Sequence, residues 1–255
     1  MIRVAAVGDV HFGDDSGGSL GPHLESIEER ADVLLVAGDL TKHGLAEEGA
    51  ILASELADLP IPVVAVLGNH DYHCDAQQEI REALEASGVR VLERQSVVLR
   101  IGDETLGIAG AKGFGGGFVG ACASDFGERE MKAFVRHTKD ISSDVEERLS
   151  DLRTDYRVAL LHYSPVEDTL VGERLEVYPF LGSYLLAEAI DNAGADLAIH
   201  GHAHRGSEKG LTAQGVHVRN VAQPMLGRPY TIYALGTEDS PPRRMAPLKL
   251  PRKSY

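Results

Sequence analysis

Short apolar runs alternate with amphipathic segments along the first third of the chain. The runs Ile2–Val7, Val33–Ala37 and Val63–Leu67 are rich in Val or Ile, and each stops at a glycine, as buried strands do. Between them, His23–Asp32 and Ala46–Leu59 carry apolar residues at helical spacing. This order of strands and helices predicts parallel βαβ units with right-handed crossovers.

A third helix is expected after the third strand. Asp75 is followed three residues later by Gln78, a pair that resembles a capping box. Ile80 and Leu84 continue an apolar stripe. We therefore expect a helix that opens at this pair and runs through Leu84.

The rest of the chain predicts a hairpin, two helices and four further strands. Gly113–Gly117 is too glycine-rich for the interior of an element, and we interpret it as a strand connection, with a substrate lid as the alternative.

The pattern predicts one α/β domain, residues 1–240, in which the strand pairing is parallel at first and more antiparallel later. A basic tail follows at residues 241–255. The hairpin is expected at Ser96–Ile101 and Thr105–Ala111, the helices at residues 128–153 and Gly182–Asn192, and the strands at Tyr156–Leu161, Ala195–His200, Val216–Ala222 and Tyr230–Leu235.

The composition is that of a globular protein. Of 255 residues, 43% are hydrophobic and 25% charged, and no apolar run approaches the ~20 residues of a membrane-spanning helix. The segment Met1–Asp9 becomes acidic too soon for a signal peptide, so we expect a cytoplasmic protein. A net charge of −14 argues against a nucleic-acid partner, because phosphate backbones are held by Lys and Arg. The two cysteines, Cys74 and Cys122, are expected to be unpaired thiols.

Side chains with metal-binding chemistry follow the predicted strands. Asp9, Asp39 and Asn69 each come after a glycine at the end of one of the first three strands, 30 residues apart, which is the length of one βα unit. Ligands bind open α/β sheets at the carboxyl ends of the strands, so these side chains are expected to converge. Histidines follow later strands in the same way. The complete set is Asp9, His11, Asp39, Asn69, His162, His202 and His204.

This set matches the donors of a two-metal hydrolytic site. Such sites use carboxylate and imidazole ligands, about four for each ion with one shared, around ions ~3.5–4 Å apart. Oxygen and nitrogen donors without cysteine suit Mn, Fe, Zn or Ni, and we favour two divalent manganese ions. Six other histidines are expected to have structural or surface roles: His23, His43, His73, His137, His200 and His217.

The ordered motifs D-x-H, GD, GNHD, a single H and GH-x-H resemble those of the calcineurin-like metallophosphoesterase superfamily. They stand here at Asp9–His11, Gly38-Asp39, Gly68–Asp71, His162 and Gly201–His204. The resemblance implies a four-layer αββα fold, in which two mixed sheets form a β-sandwich flanked by helices, with the metals at its top. It also implies phosphoester hydrolysis by in-line attack of a hydroxide that bridges two metal ions.

The resemblance implies a role for each motif residue. His70 would bind no metal and would donate to the leaving-group oxygen, and Asp71 would orient His70. Asp39 would bridge both metals. The first metal would also be held by Asp9, His11 and His204, and the second by Asn69, His162 and His202.

The second motif bears on the substrate. Gly38–Gly44 reads GDLT-x-x-G, which resembles the bacterial phosphodiesterase branch and lacks the arginine that grips a phosphomonoester in the protein phosphatases. A monoester dianion needs a further cation, so we predict a small-molecule phosphodiester as the favoured substrate. If a monoester were preferred, Arg205 or Lys42 would have to contact the phosphate.

Three alternatives stay open at this point. A phosphomonoesterase acting on a small metabolite or a protein differs only in its substrates. A nuclease needs a basic groove, which the net charge of −14 disfavours. A non-catalytic scaffold would be expected to have lost metal ligands, whereas every motif residue is retained. The pattern makes no prediction of the oligomeric state.

Overall fold

Two mixed β-sheets pack face to face, with helices on both outer faces. The computed structural model describes residues 1–236, so the predicted basic tail, residues 241–255, lies outside the described residues. The strands are β1 Ile2–Val7, β2 Val33–Ala37, β3 Val63–Val66, β4 Arg90–Val91, β5 Gln95–Ile101, β6 Glu104–Ala111, β7 Gly117–Phe118, β8 Ala121–Cys122, β9 Tyr156–Leu161, β10 Leu197–His200, β11 Lys209–Leu211, β12 His217–Asn220 and β13 Thr231–Leu235. The α-helices are α1 Gly21–Leu24, α2 Ala46–Leu56, α3 Gln77–Ala86, α4 Arg129–Asp151, α5 Tyr178–Leu181, α6 Tyr184–Ala193 and α7 Gln223–Leu226.

Both sheets have a parallel centre. The first has the order β13-β1-β2-β3-β4, and only the β13–β1 pair is antiparallel. The second has the order β11-β12-β10-β9-β6-β5. Its three inner pairs are parallel and its two edge pairs are antiparallel. The predicted parallel beginning is confirmed, whereas the expected antiparallel character of the later strands is found only at the sheet edges and in the short β7–β8 pair.

The alternation of strand side chains produces the layers. Successive residues of a strand point to opposite faces of the sheet, and one set from both sheets, including Val4, Leu35 and Ile108, is buried between the sheets. The outward set of the first sheet packs with α2 and α3. The outward set of the second sheet packs with α4 and α6. The predicted αββα architecture is thus confirmed.

Local backbone conformation explains where the predicted helices were wrong. The stretch His23–Asp32 is not one helix, because Ser26 adopts a left-handed φ of 53° and separates α1 from a 3₁₀ turn at Ile27–Glu29. Helix α2 ends at Leu56, shortly before Asp58 at a φ of 57°. Helix α3 begins at Gln77 without a side-chain cap among the described residues, so the predicted capping box is absent.

The carboxyl ends of the central strands meet at one end of the sandwich. Strands β1, β2 and β3 run in parallel, so they end at the same edge of the first sheet. His162, which follows β9 of the second sheet, has its Nδ1 2.9 Å from the carbonyl oxygen of Ala37, the last residue of β2. The backbone of Gly201, after β10, in turn donates to the carbonyl of His162. The ends of five strands thereby share one edge of the molecule.

Two further findings concern single features. Within residues 1–236, every helix is too short or too polar to cross a bilayer. Cys74 and Cys122 are exposed free thiols, as predicted.

Gly110 provides a test of the packing between the sheets. A Cβ at this position of β6 would lie 2.6 Å from Cβ of Leu92 and 2.9 Å from Cγ1 of Val66. We expect Gly110→Ala to lower the free energy of unfolding by about 1–3 kcal/mol, because the core has no room for the methyl group. Gly17→Ala is the matched control, since a Cβ on Gly17 meets nothing within 4 Å. Urea unfolding of both variants would measure the difference, and equal midpoints would contradict this packing.

Candidate metal centre

Loops at the carboxyl ends of the strands bring the predicted ligands together. The ligand atoms of Asp9, His11, Asp39 and His204 all lie within 4.8 Å of one another, and so do those of Asp39, His162 and His202. Asp39 belongs to both groups. Asn69 joins the second group, because its Oδ1 lies 2.9 Å from Nε2 of His162.

The backbone at several of these residues is held in a conformation that is rare for non-glycine residues. Asp9, His11, Asp39 and His202 have φ values of 56°, 44°, 49° and 70°. A left-handed backbone costs energy in residues with a Cβ, and it persists where the surrounding structure fixes it. The strain is therefore concentrated in the loops that carry the candidate ligands.

The glycines beside these residues allow the loops to approach one another. A Cβ on Gly201 would overlap a carboxylate oxygen of Asp9, and a Cβ on Gly68 would overlap the backbone and carboxylate of Asp39. Gly68 and Gly201 are thus required by the close contact between loops.

Backbone carbonyls fix the orientation of three histidine rings. Nδ1 of His162 lies 2.9 Å from the carbonyl oxygen of Ala37, and Nδ1 of His70 lies 2.8 Å from that of Lys42. Nε2 of His202 lies 3.3 Å from the carbonyl oxygen of Phe180. A carbonyl only accepts, so the facing nitrogen carries the proton. The other nitrogen of the His162 and His202 rings is left with a free lone pair.

Acceptor atoms converge on one point in the second group. Nε2 of His162 lies 2.9 Å from Oδ1 of Asn69 and 3.3 Å from Oδ1 of Asp39. With the proton of His162 on Nδ1, all three of these atoms present lone pairs to one another. A cation at this point would be stabilised by all three atoms, so the residues present fit a divalent metal ion.

The first group also brings carboxylate oxygens and imidazole nitrogens close together. Nε2 of His11 lies 3.4 Å from Nε2 of His204 and 3.8 Å from Oδ2 of Asp39. Nε2 of His204 lies 2.9 Å from Oδ1 of Asp9. Two carboxylates and two imidazoles around one point are borderline-hard donors of the kind that bind Mn, Fe, Zn or Ni.

Burial keeps the histidines neutral. Loss of solvent lowers the pKa of His11 to about 4 and that of His202 to about 3, and it lowers the pKa of His162 well below its usual range. Burial also raises the pKa of Asp9 to about 6, against the hydrogen bond from His204. At neutral pH the imidazoles of His11, His162 and His202 are therefore unprotonated, so metal binding has no proton on them to displace. The hydrogen bond to Asp9 instead raises the pKa of His204.

Asp71 has a different place from the predicted one. Its buried carboxylate accepts hydrogen bonds from the backbone N–H groups of Leu40, Thr41 and Gly68 at 3.2, 2.8 and 2.7 Å, and from the Thr41 hydroxyl at 2.6 Å. Within residues 1–236 none of its hydrogen bonds involves the ring of His70. Asp71 therefore joins the loop after β2 to the loop after β3, and the orienting contact to His70 comes from the Lys42 carbonyl.

His70 lies at the margin of the two groups. Its backbone N–H donates to Oδ1 of Asp39 at 2.8 Å, and its Nε2 lies 3.9 Å from Oδ2 of the same carboxylate. The ring is partly exposed, and its edge contacts His11 with 4.5 Å between centroids. This places an accessible nitrogen beside the shared carboxylate.

The other histidines lie outside both groups of close ligand atoms among the described residues. His200 is buried and contacts the Thr169 hydroxyl at 2.9 Å. His43 contacts Glu48 at 2.7 Å, and His137 packs against the ring of Phe114.

Some parts of the site carried no signal in the sequence. The carbonyls of Ala37, Lys42 and Phe180 belong to the main chain, and any residue type supplies one. Tyr163 packs against His202 and His162, with centroid distances of 4.4 and 5.6 Å. Its position next to His162 in the chain was the only indication of this role.

Comparison with known proteins agrees with this geometry. The family model described as calcineurin-like phosphoesterase matches residues 2–206. A comparison with curated proteins gives no match. Phosphopantetheinyl hydrolase from Mycobacterium tuberculosis has a TM-score of 0.62 and 17% identity, over 94% of this chain and 98% of that chain. GAP50, the anchor in the inner membrane complex of Plasmodium, has a TM-score of 0.54 and 11% identity, over 96% of this chain and 76% of that chain. At these identities the likeness is one of fold.

Asp39 is the residue whose replacement should affect metal binding most. We expect the protein to take up about two divalent ions for each chain and Asp39→Asn to lose affinity for both, because the change removes the negative charge between two cations. The loss should be at least as large as that of His162→Ala, which removes a donor from one group only. Elemental analysis after reconstitution and dialysis would measure it.

The matched control is Asp103→Asn, which removes one negative charge at an exposed turn. It should retain the full metal content. An Asp39→Asn protein that keeps two ions and stays active would show that the carboxylate is not shared.

Proposed function

The chain belongs to the calcineurin-like phosphoesterase family, and on this basis we propose that it is a dinuclear enzyme that favours small-molecule phosphodiesters. Membership of the family makes it a metal-dependent phosphoester hydrolase. The observation that supports two metals is the position of Asp39, whose carboxylate contributes to two groups of ligand atoms. Asp9, His11 and His204 would complete one ion's site, and Asn69, His162 and His202 would complete the other's.

The proposed metal ions would supply Lewis-acid chemistry. Two divalent ions in these groups would act as Lewis acids that lower the pKa of a water molecule and neutralise charge on a phosphoryl group. We favour manganese, because the donors are oxygen and nitrogen without sulfur. The exposed thiols of Cys74 and Cys122 fit the reducing compartment of the cytoplasm, where such thiols stay unpaired.

The chain's own residues would position the substrate and move a proton. The side-chain amide of Asn69 lies beside His162, where it would help to neutralise charge on a bound phosphoryl group. His70 has Nδ1 engaged by the Lys42 carbonyl at 2.8 Å, so Nε2 is the nitrogen that can deliver a proton to the leaving-group oxygen. Asp71 would act indirectly, by fixing the loops that carry Asp39 and His70.

The preference for diesters follows from charge. A phosphodiester carries one negative charge, which two divalent ions neutralise, whereas a monoester dianion needs a further donor close to the scissile phosphoryl group. Arg205 is exposed, and its backbone N–H donates to Glu173 at 2.7 Å. The segment 38–44 carries no arginine, so it supplies no guanidinium group that could hold a monoester dianion.

The assay that tests this function compares two esters with one leaving group. With two manganese ions bound at pH 8, we expect a higher kcat/KM for bis-(4-nitrophenyl) phosphate than for 4-nitrophenyl phosphate. A monoester that is faster by about tenfold would support a phosphatase. Absence of turnover of either ester in the fully metal-loaded protein would support a non-catalytic scaffold.

His70→Ala separates metal binding from catalysis. We expect it to retain both metals and to lose about 10²–10⁴-fold in kcat, as the loss of a general acid does. The loss should shrink for 4-nitrophenolate, because a good leaving group needs little protonation, and grow for alkoxide leaving groups. Rates that fall equally for good and poor leaving groups, or a loss of metal, would assign His70 a different role.

A further inference from the structure

An ammonium group lies next to the candidate metal centre without a hydrogen-bonding partner. Lys112 follows β6, and its Nζ lies 5.1 Å from the ring centroid of Tyr72, 5.0 Å from that of Phe114 and 5.2 Å from that of Tyr163. These cation–π contacts hold a cation without neutralising it. In the part of the chain that the structure describes, Nζ of Lys112 has no hydrogen-bond acceptor and no carboxylate oxygen within 4.0 Å.

Glu93 is the acidic side chain whose charge acts most on the Lys112 amino group, and it also accepts a hydrogen bond from the Lys112 backbone N–H. The Glu93 carboxylate accepts a hydrogen bond from the Tyr72 hydroxyl at 3.3 Å and lies 4.0 Å from Nε of Arg94. Burial lowers the pKa of the Lys112 amino group, and the charges of Glu93 and Asp39 act in the opposite direction. The ammonium thus lies within electrostatic reach of the shared carboxylate.

The main chain fixes Lys112 beside the metal ligands. Its carbonyl oxygen accepts hydrogen bonds from the backbone N–H groups of His162 and Tyr163, both at 3.0 Å. The Tyr163 ring contacts Lys112 on one side and His202 on another, with 4.4 Å between the ring centroids of Tyr163 and His202. The ammonium is therefore one aromatic ring away from the second group of ligands.

This separation indicates what the ammonium can contact. Because the Tyr163 ring contacts both Lys112 and His202, a substituent of a phosphoryl group bound at the candidate ligands would be the part of the substrate that could reach the ammonium. A partly buried cation that lacks an acceptor is stabilised when a ligand supplies one. The aromatic rings around the amine also offer an apolar surface for the carbon skeleton of the substituent.

On these grounds we propose that Lys112, with Tyr72, Phe114 and Tyr163, forms an anion-binding subsite beside the metal centre. It would hold a carboxylate or phosphate on the ester substituent of the substrate. The proposal rests on the proposed function and narrows it, since the favoured substrate becomes a phosphodiester with a second anionic group near the scissile phosphorus. Such a substrate needs a cation that the metals do not supply, and Lys112 provides it without acting on the bond that breaks.

A matched pair of esters tests the subsite. Both are 4-nitrophenyl phosphodiesters. The second ester group is 3-carboxyphenyl in one and 3-(methoxycarbonyl)phenyl in the other. The two substrates therefore share a leaving group and are similar in size, and they differ by one negative charge. We expect the carboxylate to be preferred about tenfold or more in kcat/KM, mainly through KM, as for a charge-assisted hydrogen bond. A 3-phosphonophenyl ester distinguishes a phosphate-like ligand from a carboxylate.

Three variants assign the preference to the amine. Lys112→Met removes the charge and keeps an unbranched side chain against the rings, so it should abolish the preference, giving the two esters similar kcat/KM values, and leave the metal content unchanged. Lys112→Arg should retain most of the preference. Lys139→Met removes an exposed lysine that lies 3.5 Å from Asp125, and it should behave as the wild type.

A binding measurement separates the subsite from the reaction. Calorimetry with non-hydrolysable phosphonate analogues of the same pair should show about a tenfold or larger difference in Kd that Lys112→Met removes. If the wild-type enzyme hydrolyses both esters equally, or if Lys112→Met keeps the preference, the subsite is wrong. If no ester is hydrolysed but the calorimetric difference is present, the proposed function fails and the subsite stands.

Discussion

The arrangement of the metal centre depends on one buried carboxylate, that of Asp39. Its oxygens lie 3.3 Å from His162, 3.8 Å from His11 and 3.9 Å from His70, and one of them accepts the backbone N–H of His70 at 2.8 Å. A buried negative charge is costly unless other charges or donors compensate it. Asp9 is a second buried carboxylate nearby, and the repulsion between the two contributes to its raised pKa. The neutral imidazoles of His11, His162 and His202 cannot balance two such charges, whereas divalent cations would.

Much of the fold could be predicted from the sequence, because the central strands are predominantly apolar runs and the first three of these runs stop at glycine. The bounds of β1, β2 and β9 were predicted to the residue. The bounds of the helices were predicted less accurately. A single residue in the left-handed conformation, such as Ser26, interrupts a helix without changing the hydrophobic periodicity of the sequence. The pairing of strands in the second sheet depends on contacts between distant segments, so its parallel centre was missed.

Some features of the site could likewise be predicted from the sequence, and others could not. The candidate ligands were found because strand ends locate them, whereas the carbonyl that orients His70 and the cluster around Lys112 exist only after the chain folds.

The comparisons show that this fold alone does not define a function. Two proteins with this fold have TM-scores of 0.62 and 0.54 to this chain, and they are described as a hydrolase and as an anchor. Function is set by the site that a fold carries. In this chain the catalytic interpretation rests on the convergence of lone pairs at His162, Asn69 and Asp39 and on family membership. The proposed substrate preference rests on Lys112 and on the aromatic rings of Tyr72, Phe114 and Tyr163 around its amino group.

The backbone carbonyls that hold His162 and His202 have a consequence for metal loading. Rings that are oriented by the main chain are already in place when folding is complete, so the conformational entropy of the cage is lost during folding and not when a cation enters. An arriving ion would therefore meet a rigid, preformed cage, and its capture would require only the shedding of hydration water. A rigid cage of oxygen and nitrogen donors also discriminates weakly among ions of similar radius. The occupant of the site would then reflect which transition metal the cell keeps in free supply, and the same polypeptide could work with different ions in different growth conditions.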